Sequence, residues 1–211
     1  MAKLEIIGVP QSTFVRVARM VCEEKGVPYE LTPARPHTPE VDAIHPFGKI
    51  PAMRHGDMTL CESKAVATYI DRSFDGPKVI PEDPKVAAQV EQWVSIVNTV
   101  IDPTMVRVYL MNYVFPKTAD GKPDRAAIDA VVPTVRAQAK ILDKAVAKTG
   151  HLAGDTFTLA DINLMPILFY VRQFPEGREI VGSATNLETY FNRHAERPSF
   201  KATMPSPPPS K

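Results

Sequence analysis

Three short stretches carry groups suited to gripping a charged peptide. Gln11-Ser12-Thr13 presents hydroxyls where a helix begins, just after Gly8-Val9-Pro10. Ile50-Pro51 puts proline where a loop enters a strand, a position that spares the ladder the donor proline lacks. A cis bond there would turn the chain sharply and leave the N–H and C=O of Ile50 facing outward. Glu62-Ser63 opens a second helix, whose unpaired N–H groups favour an anion. An extended peptide bearing a carboxylate would pair with the backbone of Ile50 and rest its charge at Ser63.

The elements that must position these groups follow in order. Residues 4–7 read as a strand. Phe14, Val17, Ala18, Val21 and Cys22 then fall on one face of a helix. Lys25-Gly26-Val27-Pro28 stops that helix. Residues 29–32 return as a strand, which completes a β-α-β unit with a parallel pair. Residues 33–44 are irregular and proline-rich, with room for one short helix. Ala52-Met53-Arg54 and Thr59-Leu60-Cys61 pair through a turn at Gly56-Asp57. A helix over 63–74 then buries Val66, Tyr69 and Ile70. The order β-α-β, loop, β-β-α, with a proline before the third strand, is the layout of an α/β thioredoxin-like domain.

Beyond residue 76 the strand signals vanish. Residues 77–84, with Pro77, Pro81 and Pro84, read as a stiff linker between a first domain at 1–76 and an all-helical domain at 85–204. Val86, Val90, Trp93, Val94, Val97 and Ile101 mark a long helix. Asp102-Pro103 is expected to kink or interrupt it before it resumes through Val106, Leu110 and Tyr113. Residues 115–123 form a loop, and 124–148 a second long helix bent or broken at Pro133. Thr158-Leu159-Ala160-Asp161 is a capping-box arrangement ahead of a buried helix over 162–171 that contains Pro166. Residues 187–195 make a last amphipathic helix. Residues 205–211, rich in proline, read as an extended, poorly ordered tail.

Composition narrows the function. The 211 residues are 44% hydrophobic, enough for a sizeable core, and carry 25 basic against 24 acidic side chains. Without a basic run or interleaved aromatics, nucleic acid is not an expected partner. No apolar run approaches the ~18–20 residues of a membrane span. The N-terminus enters a strand directly and lacks the features of a signal peptide. Two cysteines, Cys22 and Cys61, are too few for a disulfide framework, so a reducing cytoplasm is expected. There is no Cys-x-x-Cys and no cysteine between residues 8 and 16, which argues against thiol-based redox chemistry there. The five histidines lack metal-ligand spacing, so no metal is expected.

At this point the chain resembles the cytosolic glutathione transferases over nearly its whole length. The resemblance is carried by Pro46-Phe47-Gly48-Lys49-Ile50-Pro51-Ala52 followed by Glu62-Ser63, by Leu152-Ala153-Gly154-Asp155-Thr156-Phe157-Thr158-Leu159-Ala160-Asp161, and by the ending that contains Arg197-Pro198. Gly8-Val9-Pro10-Gln11-Ser12, Glu24-Lys25-Gly26 and Asp102-Pro103 look most like the serine-type phi class and its bacterial relatives.

The resemblance implies glutathione as co-substrate with no cofactor, an electrophile pocket against the helical domain, and a symmetric homodimer. It gives Ser12 the position of the thiol-activating hydroxyl. Thr13 is the rival, and a third reading makes Ser12 a helix cap only. Ile50 would pair with the tripeptide backbone, with Pro51 holding it in place. Glu62 would hold the γ-glutamyl ammonium and Ser63 its carboxylate. Lys49 and His37 would meet the glycine carboxylate, although the loop that carries His37 is shorter and richer in proline than the phi pattern. Met105, Tyr109 and Tyr113 either line the electrophile pocket or pack in the helical core. The implied activity is conjugation of the glutathione thiolate to small, mostly hydrophobic electrophiles. Glutathione-dependent peroxide reduction, isomerisation, or ligand binding without turnover are the alternatives on the same site.

Overall fold

In the computed structural model, which describes residues 2–205, the expected strands form one sheet. They are β1 (Leu4–Ile7), β2 (Tyr29–Thr32), β3 (Ala52–His55) and β4 (Met58–Cys61), in the spatial order β2-β1-β3-β4. β1 runs parallel to β2 and antiparallel to β3, and β3 pairs antiparallel with β4. The parallel pair needs a crossover, which α1 (Thr13–Lys25) supplies. Of its apolar stripe Val17, Ala18, Val21 and Cys22 are buried and Phe14 is half-buried. Gly26 ends it in the left-handed conformation, with φ 68°, a geometry open to glycine at little cost. A short α2 (Pro39–Asp42) follows, and α3 (Ser63–Ser73) buries Val66 and Ile70. Tyr69 stays half-buried because its hydroxyl reaches the Nδ1 of His55 at 2.8 Å.

The chain divides into two compact units. The first runs to Ile80 and regains the chain from Glu196; the second is Pro81–Ala195. The break falls inside the expected linker. The segment from Glu196 moves the expected boundary at residue 204, because it belongs to the first unit, where α10 (Pro198–Ala202) packs on α1. The Arg197 guanidinium forks onto the Glu24 carboxylate at 2.8 and 2.5 Å, and Ser199 donates to the same carboxylate. Arg19 donates to the carbonyls of Ala202 and Thr203, and the Arg16 guanidinium lies 4.8 Å from the centre of the Phe200 ring. These pairs join residues far apart in sequence, so no local pattern announces them. Most of the proline-rich tail, residues 206–211, lies outside the described residues.

The second unit is helical: α4 (Pro84–Ile96), a π-helical stretch (Val97–Leu110), α5 (Met111–Val114), α6 (Arg125–Val146), α7 (Leu159–Val171), α8 (Pro175–Ser183) and α9 (Thr185–Ala195). Asp102-Pro103 does not interrupt the long helix. Proline lacks the N–H and clashes within an α-turn; here the turns around it widen to π geometry and the helix continues. Pro133 likewise sits inside an unbroken α6. α8 was not signalled by periodicity. α7 is apolar on all sides and buried from Leu159 through Leu168, as its sequence implied. Its capping box is in place, with Thr158 and Asp161 satisfying each other's backbone donors. Asp161 also accepts from the Leu152 N–H at 2.9 Å and the Tyr190 hydroxyl at 3.0 Å. No helix among the described residues is long and apolar enough to cross a membrane.

Candidate active site

The strand register brings the chemically suited stretches together. Ile7 pairs with Thr32 on one side and Ala52 on the other, and Ala52 pairs with Cys61. Four strand ends therefore lie in a row across one end of the sheet, with neighbours ~4.8 Å apart. The residues just beyond them are Gly8–Ser12, Pro33 onward, Ile50-Pro51 and Glu62-Ser63. The adjacency is tight: a Cβ on Gly8 would come within 2.5 Å of the Val15 side chain and 3.2 Å of Ile50's. At φ +154° that glycine lets the β1–α1 turn lie against the loop before β3.

Ser12 is the N-cap of α1, with φ −64° and ψ 129°. Its Oγ accepts the Val15 N–H at 3.4 Å, a long contact. A hydroxyl has one hydrogen to give as well as lone pairs to receive. Among the described residues nothing accepts the Ser12 hydrogen, so capping does not use up its donor. Ser12 is half-exposed at the mouth of the helix, whereas Thr13 is 6% exposed inside the first turn.

The Ile50-Pro51 bond is cis. The β1–β3 ladder begins at Ala52, which leaves the backbone of Ile50 outside the sheet. Ile50 packs against the small cluster of Ile7, Ala34, Val41 and Ala52. Ser63, 7% exposed, is the first residue of α3, where helix N–H groups lack partners in the helix. Glu62 precedes it in the left-handed region at φ 68°, with its side chain 70% exposed. Lys49 is exposed. His37 also has a positive φ, 60°; its N–H bonds to the Gly48 carbonyl at 2.9 Å and its ring lies over Gly48, where a Cβ would clash with it. Its Nδ1 is 3.8 Å from Asp42.

One residue at this end received no role from sequence. His45 is 2% exposed, with its Nε2 3.4 Å from the Glu62 carboxylate. It belongs to the proline-rich approach to β3, but only the folded loop brings it to Glu62.

Of the three residues placed near an electrophile, Met105 and Tyr109 are fully buried in the helical unit. The Tyr109 hydroxyl donates to Glu176 at 3.1 Å and accepts the Gly177 N–H at 2.9 Å. Tyr113 keeps some accessible surface, stacks on Phe174 at 4.2 Å and donates to the same Glu176 oxygen at 2.5 Å. Glu176 also receives Arg125 at 2.7 Å. Burial works to raise its pKa, but the bonds from Tyr113, Arg125 and Tyr109 prevail and hold the carboxyl at about 2. Cys22 is no rival nucleophile, since burial pushes its thiol up to about 12. Among the described residues no cluster of three or more His, Cys, Asp or Glu is arranged to hold a metal.

Comparison with known proteins shows the family. The glutathione S-transferase N-terminal domain model matches residues 6–78, and the C-terminal domain model matches residues 101–198. Glutathione S-transferase 3 of Zea mays is 31% identical, with 99% of this chain and 98% of the relative aligned. Glutathione S-transferase F13 of Arabidopsis thaliana is 27% identical over 96% of this chain and 95% of its own length. The crystal structure of glutathione transferase F7 from Populus trichocarpa superposes with a TM-score of 0.87 at 28% identity, covering 95% of this chain and 97% of that one. With both domain models matched and a full-length relative above 30% identity, the chain belongs to the glutathione S-transferase family of enzymes.

Proposed function

We propose that this transferase is of the serine type, related to the phi class, and that Ser12 activates the glutathione thiol. The observation that carries the reading is the register that aligns Ile7, Ala52 and Cys61. It gathers Ser12, Ile50-Pro51 and Glu62-Ser63 at one sheet end. Glutathione lies there extended, with its cysteinyl backbone on Ile50 and its γ-glutamyl carboxylate on Ser63 at the start of α3. Its ammonium meets Glu62, and its glycine carboxylate lies toward Lys49 and His37. The electrophile is small and mostly hydrophobic, and Tyr113 contributes to its pocket. The enzyme works as a symmetric homodimer in the cytoplasm.

A free thiol has a pKa of ~8.5, so about 3% is thiolate at pH 7. One charge-assisted hydrogen bond, worth ~1.5–3 kcal/mol, lowers that pKa by roughly one to two units. The Ser12 hydroxyl can supply it while Val15 occupies one of its lone pairs, and the positive end of α1 acts in the same direction. The test is thiolate absorbance of bound glutathione across pH. The bound thiol should titrate below the free one. Ser12→Ala should raise it by ~1–2 units, and Thr13→Ala should leave it in place. An equal pKa in parent and Ser12→Ala removes Ser12 from the mechanism. Turnover of an aryl halide panel, set against hydroperoxides, then separates conjugation from peroxide reduction.

A further inference from the structure

We propose that His45 is a positioning residue that holds the Glu62 carboxylate where the γ-glutamyl ammonium of glutathione arrives, and so sets selectivity for that ammonium. The inference rests on the reading of Glu62 given above.

His45 is buried in the turn that leads to β3. Its N–H bonds to the Val41 carbonyl at 2.8 Å and its C=O receives the Gly48 N–H at 2.9 Å, so the backbone is fixed on both sides. The Phe47 N–H donates to Nδ1 at 3.1 Å. A neutral imidazole whose Nδ1 is an acceptor carries its hydrogen on Nε2. That nitrogen is the one 3.4 Å from Glu62 Oε1. The loop thus selects the tautomer whose hydrogen sits on the nitrogen nearer Glu62.

Glu62 needs such a partner. Its carboxylate makes no capping bond to α3, and it is largely in water. Left alone, a glutamate side chain samples several rotamers, and ordering it opposes ligand binding. A carboxylate offers about four lone-pair sites, so one contact from His45 leaves the other oxygen free for an ammonium. The 3.4 Å separation is long for a finished bond, and such contacts shorten when the ligand's charge arrives.

The test measures the affinity of the full-length protein for glutathione and for its des-amino analogue, with glutaryl in place of γ-glutamyl. Asparagine places its amide near the Nδ1 position and glutamine near Nε2. His45→Asn therefore keeps an acceptor for Phe47 but lacks the donor toward Glu62, and His45→Gln keeps that donor. The parent should prefer glutathione. His45→Asn should cut that preference about three- to tenfold, with kcat at saturating glutathione unchanged. His45→Gln should restore most of it. Glu62→Gln should abolish the preference, and adding His45→Asn to Glu62→Gln should cost nothing more. If Glu62→Gln removes the preference but His45→Asn keeps it, the positioning role fails while the Glu62 reading stands. The role also fails if His45→Asn weakens both ligands equally, or if the two substitutions multiply. If Glu62→Gln itself keeps the preference, the Glu62 reading fails and the role of His45 fails with it.

Discussion

Glu176→Gln should destabilise the protein at neutral pH and lose that effect in acid. Glu176 sits in the first turn of α8 and gathers the hydroxyls of Tyr109 and Tyr113 and the guanidinium of Arg125. The three contacts differ in worth. Arg125 is half-exposed and keeps Asp129 at 2.5 Å, so its loss costs ~0–1 kcal/mol. Tyr113 can turn its hydroxyl to water. Glutamine keeps an oxygen for the fully buried Tyr109 but no charge, so that bond falls from charge-assisted to neutral strength, a loss of ~1–2 kcal/mol. The negative charge near a helix start adds ~0.3–1 kcal/mol. The sum is roughly 1–4 kcal/mol. The titration sets a separate ceiling: a fall from the ordinary 4.5 to about 2 corresponds to ~3 kcal/mol. It is a ceiling because the Glu176 side chain still keeps 22% of its surface in water. A carboxyl depressed in the folded state stabilises above its unfolded pKa, and the benefit fades as pH falls through the folded value. The gap between parent and variant should therefore be full above about pH 5 and nearly closed by about pH 2. By thermal unfolding it should read as ~2–12 °C at pH 7. A gap that is as wide at pH 2.5 as at pH 7 would refute the assignment, since a lost packing contact, unlike a lost charge, does not titrate.

Two further substitutions test the packing of each unit. Asp161→Ala strips an acceptor from the N–H groups of Leu152 and Thr158 and from the Tyr190 hydroxyl, all buried. Urea denaturation should show a loss of ~3–5 kcal/mol, with Asp161→Asn recovering part of it. Glu24→Ala unties Arg197 and Ser199 from α1. Amide hydrogen exchange over residues 197–203 should speed up about ten- to hundredfold, which corresponds to ~1.5–3 kcal/mol of lost local protection. Arg197→Lys should behave similarly, because a lysine cannot fork onto both carboxylate oxygens.

What the sequence disclosed, and what it concealed, follows from the range over which each feature is determined. The sheet was readable because alternation, the Gly56-Asp57 turn and the proline before β3 act over a few residues. Once order and register are known, the gathering of Ser12, Ile50 and Ser63 at one end follows from strand geometry alone. α7 was readable because Thr158 and Asp161 signal a helix start three residues apart. Features made by distant partners left no such trace. Proline at 103 and 133 predicts a break when only the local backbone is considered, yet packing on both sides of the helix outweighs a single lost hydrogen bond. The docking of α10 depends on Glu24 meeting Arg197 across most of the chain. His45 illustrates the same limit within the site. Its burial, its tautomer and its distance to Glu62 are each set by the loop that closes over Val41, and none is a property of the tetrapeptide His45-Pro46-Phe47-Gly48. The backbone-reading half of the site is thus a matter of strand order. The half that discriminates among charged ends depends on side chains whose geometry exists only after folding, and substitutions that change ligand selectivity without disturbing the fold belong there.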